Sequence, residues 1–322
     1  MREQTKKSEG SGEFALIEEF FSGRGKHHSE TILGIGDDAA ILSPPAGKQL
    51  VLSVDTMVEG VHFLPDTDPK TLGHKLLAVN LSDLAAMGAE PLWVTLALTI
   101  PENNPEWLGK FSQGLFALAD RFRVDLVGGD TTRGPLVMTL QIYGIVDAGA
   151  AVCRSSAQAG DLICVTNTLG AAGLALRQLQ AGGDAAEIRH YLETPAPRID
   201  EGILLRDYAT SMVDISDGLM ADLGHILGQS GVGATVNLDA IPMHSALSSL
   251  ASVEEQIELA MTAGDDYELC FTIPEQYVPV IRERLSSIGS VLSIIGIVAE
   301  AKGISLVGEQ QWFPEGNGFQ HF

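Results

Sequence analysis

Gly34-Ile35-Gly36-Asp37-Asp38, followed by the apolar run Ala39-Ala40-Ile41-Leu42, is the stretch on which the reading of this chain turns. The glycines leave the backbone free to bend, and two carboxylates then stand at the start of an apolar strand. Gly and Asp are also ordinary turn residues, so the stretch alone decides nothing. Its recurrence does. Apolar segments meet Asp beside Gly, Ser or Thr again at Ser53-Val54-Asp55-Thr56, Gly128-Gly129-Asp130-Thr131, Asp214-Ile215-Ser216-Asp217-Gly218 and Gly264-Asp265-Asp266.

Between these joins, strand and helix patterns alternate. Residues 13–21 have apolar positions at helical spacing. Strands are expected over 38–42 and 49–55, paired through the Pro44-Pro45-Ala46-Gly47 turn. Residues 69–88 read as a helix with Leu72, Leu76, Val79, Leu84 and Met87 as its stripe, and Asn80 and Asp83 on one face near its end. Strands at 92–99, 124–127 and 136–146 flank a helix at 105–123. The second half repeats the style, with strands at 162–166, 212–215, 234–238, 268–273, 292–298 and 304–307 and helices at 171–180, 219–229 and 279–288. The class is α/β or α+β in two domains, 13–149 and 150–322, after a polar tail over 1–12 expected to be disordered. A length of 322 residues suits two cores better than one.

Composition narrows the function. Lys plus Arg is 20 against 42 for Asp plus Glu, a formal charge of −22. Nonspecific nucleic-acid binding depends on neutralising phosphates with Lys and Arg, so it is excluded as the main role. An anionic membrane surface is an equally poor partner. No apolar run reaches the roughly 18 residues of a membrane helix. Three scattered cysteines, Cys153, Cys164 and Cys270, with no C-x-x-C pair, point to a reducing compartment and a cytoplasmic protein.

The acidic joins carry the chemistry. Two carboxylates about 5 Å apart repel by roughly 3 kcal/mol at an effective dielectric near 20. Gathering several needs cations, and magnesium takes hard oxygen ligands together with waters and substrate phosphates. The competing reading makes each Asp a turn residue or cap. There is no Gly-x-x-x-x-Gly-Lys-Ser/Thr loop, no Gly-x-Gly-x-x-Gly after a strand, no protein-kinase His-Arg-Asp and no Gly-x-Ser-x-Gly elbow. Phosphate, if it is the ligand, would be reached through metal.

The ordered set Gly34 to Asp38, Ser53 to Thr56 with Gly60-Val61-His62-Phe63, 78–88, Gly128 to Arg133, Asp214 to Gly218 and 264–269 resembles that of bacterial thiamine-monophosphate kinases. Single pieces also resemble aminoimidazole ribonucleotide synthetases. The resemblance spans roughly residues 12–322. It implies a two-domain aminoimidazole ribonucleotide synthetase-like fold and a homodimer whose N-terminal sheets form a shared barrel. It implies ATP-dependent phosphorylation of thiamine monophosphate to thiamine diphosphate with several Mg2+ ions, ATP lying in a cleft along the N-terminal domain. Carried over by position, Asp38, Ser53, Val54, Asp55, Asp83, Asp130, Asp214 and Asp217 would bind metal, with Asp130, Asp55 and Asp217 closest to the chemistry. Gly129, Asp130, Arg154 and Ser216 would contact ATP, and His62 and Asp265 the substrate. Val54 stands where Thr is frequent, and Asp265 where Glu is frequent. An aromatic substrate contact falls near Gly316, flanked by Trp312 and Phe319; Trp312 is the candidate taken. The alternatives are a related synthetase that activates a carbonyl or amide oxygen, and a non-enzymatic acidic metal-binding protein. A selenophosphate synthetase is disfavoured because no cysteine precedes Cys153.

Overall fold

The computed structural model describes residues 13–24, 27–250, 252–310 and 312. The expected tail over 1–12, Gly316 and Phe319 lie outside the described residues. The described residues fall into two compact units, one within Met1–Ser43, Val54–Leu77 and Leu92–Ile142, the other within Pro44–Ser53, Ala78–Pro91 and Tyr143–Phe322.

A four-stranded sheet has the order β3-β6-β4-β5, with β3 Lys48–Val58, β4 Glu90–Ile100, β5 Asp125–Arg133 and β6 Val137–Asp147. Strands β4 and β5 are parallel, so the chain must cross over between them, and helix α3 (Pro105–Phe122) makes that crossing. The helix starts where it should. Asn104 accepts the Trp107 N–H at 3.1 Å and Pro105 occupies the first turn, where its missing N–H costs nothing. Near its middle, a Cβ on Gly114 would sit 1.8 Å from the Lys70 carbonyl. Only glycine lets α3 lie so close to α2 (Pro69–Ala86). Helix α2 buries Leu72, Leu76, Leu77, Leu81 and Leu84, so its expected stripe is real but too narrow.

The expected hairpin between 38–42 and 49–55 does not form. Strand β2 (Ile41–Leu42) pairs antiparallel with β1 (Thr31–Leu33), while β3 lies beside β6. Pro44 and Pro45 bring no N–H to a ladder growing from that turn, and β2 offers only two residues. The helix expected over 13–21 begins as α1 (Glu13–Leu16) and continues as a π-helical turn, Ile17–Phe21.

The second unit holds a six-stranded sheet of order β12-β9-β11-β7-β10-β8. Its strands are β7 Leu162–Thr166, β8 Ser211–Asp214, β9 Gly233–Asn237, β10 Leu269–Ile273, β11 Leu292–Ala299 and β12 Gly303–Val307. Helices α4 Ala171–Gln180, α5 Arg189–Glu193, α6 Ile199–Leu205, α7 Leu219–Ser230, α8 Val253–Thr262 and α9 Val278–Ser287 complete it. Every residue of β8 and β10 is buried. Cys164 and Cys270 lie in this core as free thiols, as their apolar surroundings suggested, and burial pushes the Cys164 thiol up to about 12. Among the described residues no helix is long and apolar enough to cross a membrane.

Candidate active site

In the first unit, Asp130 lies inside a strand and not at its end. Strand β5 was expected to stop at 127, because Gly128-Gly129 reads as a turn. A bulge opposite Val94 and Thr95 absorbs one residue, and pairing resumes with Gly128 opposite Thr95, Gly129 opposite Leu96 and Asp130 opposite Ala97. Gly129 has φ +152°, and a Cβ there would stand 1.9 Å from the Leu96 carbonyl. Glycine is therefore obligatory one residue before the carboxylate. Asp130 itself is exposed. Just beyond it, Thr131, Thr132, Arg133, Ile100, Glu102, Asn103 and Leu16 line an open cleft of ≈ 480 Å³.

Asp38 is exposed, and its N–H donates to the Asp37 carboxylate at 2.8 Å. That bond makes Asp37 a turn residue, while both side chains stay exposed. Asp55 sits mid-strand, since β3 runs on to Val58. His62 accepts the Val58 N–H through Nδ1 at 3.0 Å, which leaves Nε2 as the protonated nitrogen of the neutral ring. The order β3-β6-β4-β5 puts Asp55 and Asp130 on opposite edge strands. Three strand spacings, about 14 Å, separate those edges.

In the second unit, Ser53 donates to the Asp83 carboxylate at 2.6 Å, so these two candidates do meet. Val54, the next residue of β3 and already part of the first unit, is 55% exposed. Strand β8 delivers Asp214, buried, into the loop that carries Ser216 and Asp217. Asp265 donates its N–H to the Ser216 carbonyl at 2.9 Å. The motif 214–218 and the pair 265–266 are thus brought side by side. Asp265 has φ +68° and its carboxylate accepts from the Tyr267 hydroxyl at 2.9 Å. Asp266 instead turns both carboxylate oxygens to the Gly170 N–H, at 3.0 and 2.9 Å. Arg154 is half-buried, and its carbonyl accepts from Ser230 at 2.9 Å.

Trp312 does not present its ring to solvent. It is 7% exposed, packs into the hydrophobic core, and donates its indole N–H to Glu258 at 2.7 Å. Its amphipathic ring is satisfied on both counts by packing.

Three further acids escaped the sequence reading. Asp222 accepts the N–H groups of Ser216 and Asp217, both at 3.0 Å, and burial pushes its carboxyl up to about 7 while the charge of Arg154 opposes that. Glu268 is buried against Arg198, Thr166 and Asn167. Asp125 binds the Thr31 hydroxyl and the His27 N–H, each at 2.6 Å. For Asp222 a signal existed: an acid in the first turn of a helix that opens on Gly218, which has no side chain to cap with.

The candidate metal ligands are hard oxygen donors. Among the described residues no three His, Cys, Asp or Glu side chains are gathered in a metal-holding group.

Two family models cover most of the chain: AIR synthase related protein, N-terminal domain, over residues 36–146, and its C-terminal domain over 158–309. The thiamine-monophosphate kinase of Salmonella typhimurium is 46% identical over 320 residues, 97% of this chain and 98% of that one. The crystal structure of thiamine-monophosphate kinase from Stenotrophomonas maltophilia superposes with a TM-score of 0.84 at 44% identity, covering 88% of this chain and 93% of that one. The solved complex of AaThiL with AMPPCP and TMP gives 0.77 at 28% identity, with 96% of each chain covered. Hydrogenase maturation protein HypE in complex with ATP, at 20% identity and a TM-score of 0.76, shares the fold. The fold is therefore the two-domain mixed α/β architecture of the AIR synthase related proteins, and the chain belongs to the thiamine-monophosphate kinase family within them.

Proposed function

We propose that this protein phosphorylates thiamine monophosphate to thiamine diphosphate with ATP. The carrying observation is the match along 97% of the chain to a thiamine-monophosphate kinase. A relative of the same fold has been solved with AMPPCP and TMP together. The acceptor is itself a phosphate with a second pKa near 6, so its attacking oxygen is mostly ionised at neutral pH and needs no general base. The chain's task is to hold two anions in line and offset their repulsion.

For that task we assign Gly129, Asp130, Arg154 and Ser216 to ATP. The close backbone approach at Gly129 and the cleft beyond Asp130 support this. Arg154 adds a fixed positive charge. His62 and Asp265 are assigned to the substrate. Asp38, Ser53, Val54, Asp55, Asp83, Asp130, Asp214 and Asp217 are assigned to Mg2+, Val54 through its carbonyl. Bound there, magnesium would supply charge neutralisation and a template for both phosphates. The exposure of Asp38 and Asp130 and the Ser53–Asp83 contact support that set.

We further infer a cytoplasmic homodimer whose N-terminal sheets close a shared barrel. Leu50, Leu52 and Val54, 48%, 57% and 55% exposed on edge strand β3, are the apolar surface such closure would cover. The working domain boundary stays at 149/150, between the two family-model spans.

Incubation with ATP, magnesium and thiamine monophosphate is the test, with thiamine diphosphate and ADP expected in equal amounts. ADP without thiamine diphosphate would overturn the acceptor. Asp130→Asn is expected to stay folded and lose at least about 100-fold in kcat, the scale of a lost charge-stabilising group. Normal turnover by that variant at saturating magnesium would remove Asp130 from the metal set.

A further inference from the structure

We infer that Asp222 is a positioning residue for the phosphoryl transfer, acting through the loop that carries Ser216 and Asp217. This rests on the kinase reading for the roles of those two residues, but the geometry is independent of it. Helix α7 opens at Gly218, whose φ is +112°, and no side chain caps it from in front. Asp222 reaches back from the first turn and supplies the missing acceptor. One oxygen, Oδ2, takes the N–H of Ser216 and the N–H of Asp217, each at 3.0 Å. The side chain is 2% exposed, so water does not compete for those bonds.

The other side of the loop is held by backbone bonds. Ile215 donates to the Glu268 carbonyl at 2.8 Å, Tyr267 to the Ile215 carbonyl at 2.8 Å, and Asp265 to the Ser216 carbonyl at 2.9 Å. The Ser216 N–H and carbonyl are therefore fixed from opposite sides, by α7 and by the 265–268 segment. Ser216 and Asp217 are half-exposed, so their side chains remain available while their backbone is locked. Transfer between two phosphates is sensitive to sub-ångström placement of such groups. Asp222 touches neither phosphate in this reading; it sets where Ser216 and Asp217 stand.

The test is Asp222→Asn, which keeps the shape and an acceptor but weakens both bonds and leaves a buried NH2. Expected is a kcat about 10- to 100-fold lower, with the KM for thiamine monophosphate within about 2-fold of wild type. The magnesium concentration at half-maximal rate should rise as well. Without any substrate, amide exchange at Ser216 and Asp217 should accelerate while β8 and β10 stay protected. Unchanged exchange at 216–217, or wild-type kcat with an unmoved magnesium requirement, would overturn the proposal. So would exchange that rises equally throughout the second unit, since Asp222 would then be only a fold residue. Asp222→Ala provides a second arm, expected to show the same pattern more strongly. Failure of wild type to make thiamine diphosphate would instead strike the kinase reading, leaving the exchange result to judge the loop.

Discussion

Adjacent acids in this chain do different work, and Asp265-Asp266 shows why. The left-handed backbone at Asp265, φ +68°, turns its carboxylate toward the Tyr267 hydroxyl, while that of Asp266 is enclosed against the Gly170 N–H. Enclosure pushes the Asp266 carboxyl well above the usual range; the Gly170 N–H opposes this, and the neighbouring Glu268 and Asp265 charges add to it. The sign follows directly. The folded state holds this proton more tightly than the unfolded chain, whose Asp titrates near about 3.9. Stability from this group is complete below that value and is lost as pH rises through the raised folded value. Asp266→Asn imitates the protonated carboxyl, so its Tm should approach wild type near pH 4 and exceed it increasingly toward pH 8. A difference in Tm that is constant across that range would refute the assignment. The sequence names the acidic pairs readily, because Asp beside Gly is visible. Asp37 and Asp38 are both exposed, so burial does not divide them, whereas between 265 and 266 one φ angle makes the division, which the sequence cannot name. Trp312 was equally beyond reach: an aromatic near the end of the chain reads the same whether it covers a ligand or fills a core.

Elements were legible where periodicity is local. Strand β7 and helix α4 have the bounds that spacing predicts, 162–166 and 171–180. Helix α8 has its own sequence signal, Ser252 accepting from the Glu255 N–H at 3.2 Å as its N-cap. Helices α5 and α6 are five and seven residues long, too short to hold themselves, so their cause is tertiary. For α6 that cause is Arg198 at its N-cap, whose guanidinium forks onto Glu268 at the entry to β10, with an Nε bond of 2.9 Å. Glu268 also takes the Thr166 hydroxyl at 2.6 Å and the Asn167 amide at 3.0 Å, tying α6, β7 and β10 at one carboxylate. Burial pushes Glu268 up and Arg198 draws it back down. Glu268→Gln leaves a largely buried guanidinium facing a neutral amide, with Glu201 at 3.7 Å as its remaining charged neighbour. The expected cost is about 3 kcal/mol, at the lower bound for breaking a buried pair because the amide still accepts. Urea unfolding checks it; a loss below about 0.5 kcal/mol, the range of exposed pairs, would mean that the cluster does not organise these elements.

Strand order is what the linear chain conceals, and it bears on the whole assembly. Asp55 and Asp130 look equivalent in sequence, each in an apolar strand beside Gly, Ser or Thr. The order β3-β6-β4-β5 nevertheless assigns them to opposite edges, about 14 Å apart. Two carboxylates on a single magnesium lie within about 4 Å of each other, twice the metal–oxygen distance. That strand spacing argues against both sharing one ion within a single chain. If the proposed barrel closes with the β3 edge of one copy beside the β5 edge of the other, it has eight strands, the number whose interior side chains can fill. In that arrangement the proposed ligands Asp55 of one copy and Asp130 of the other would serve the same site. Mixing makes this testable. Asp55→Asn and Asp130→Asn homodimers should each be inactive, since every site lacks one carboxylate. Co-refolded at equal amounts, half the dimers are mixed, and each mixed dimer has one site with both carboxylates intact. About a quarter of wild-type activity should return, by the counting that governs symmetric two-fold interfaces. If both carboxylates served a site within a single chain, every mixed dimer would hold two damaged sites, and no activity would return.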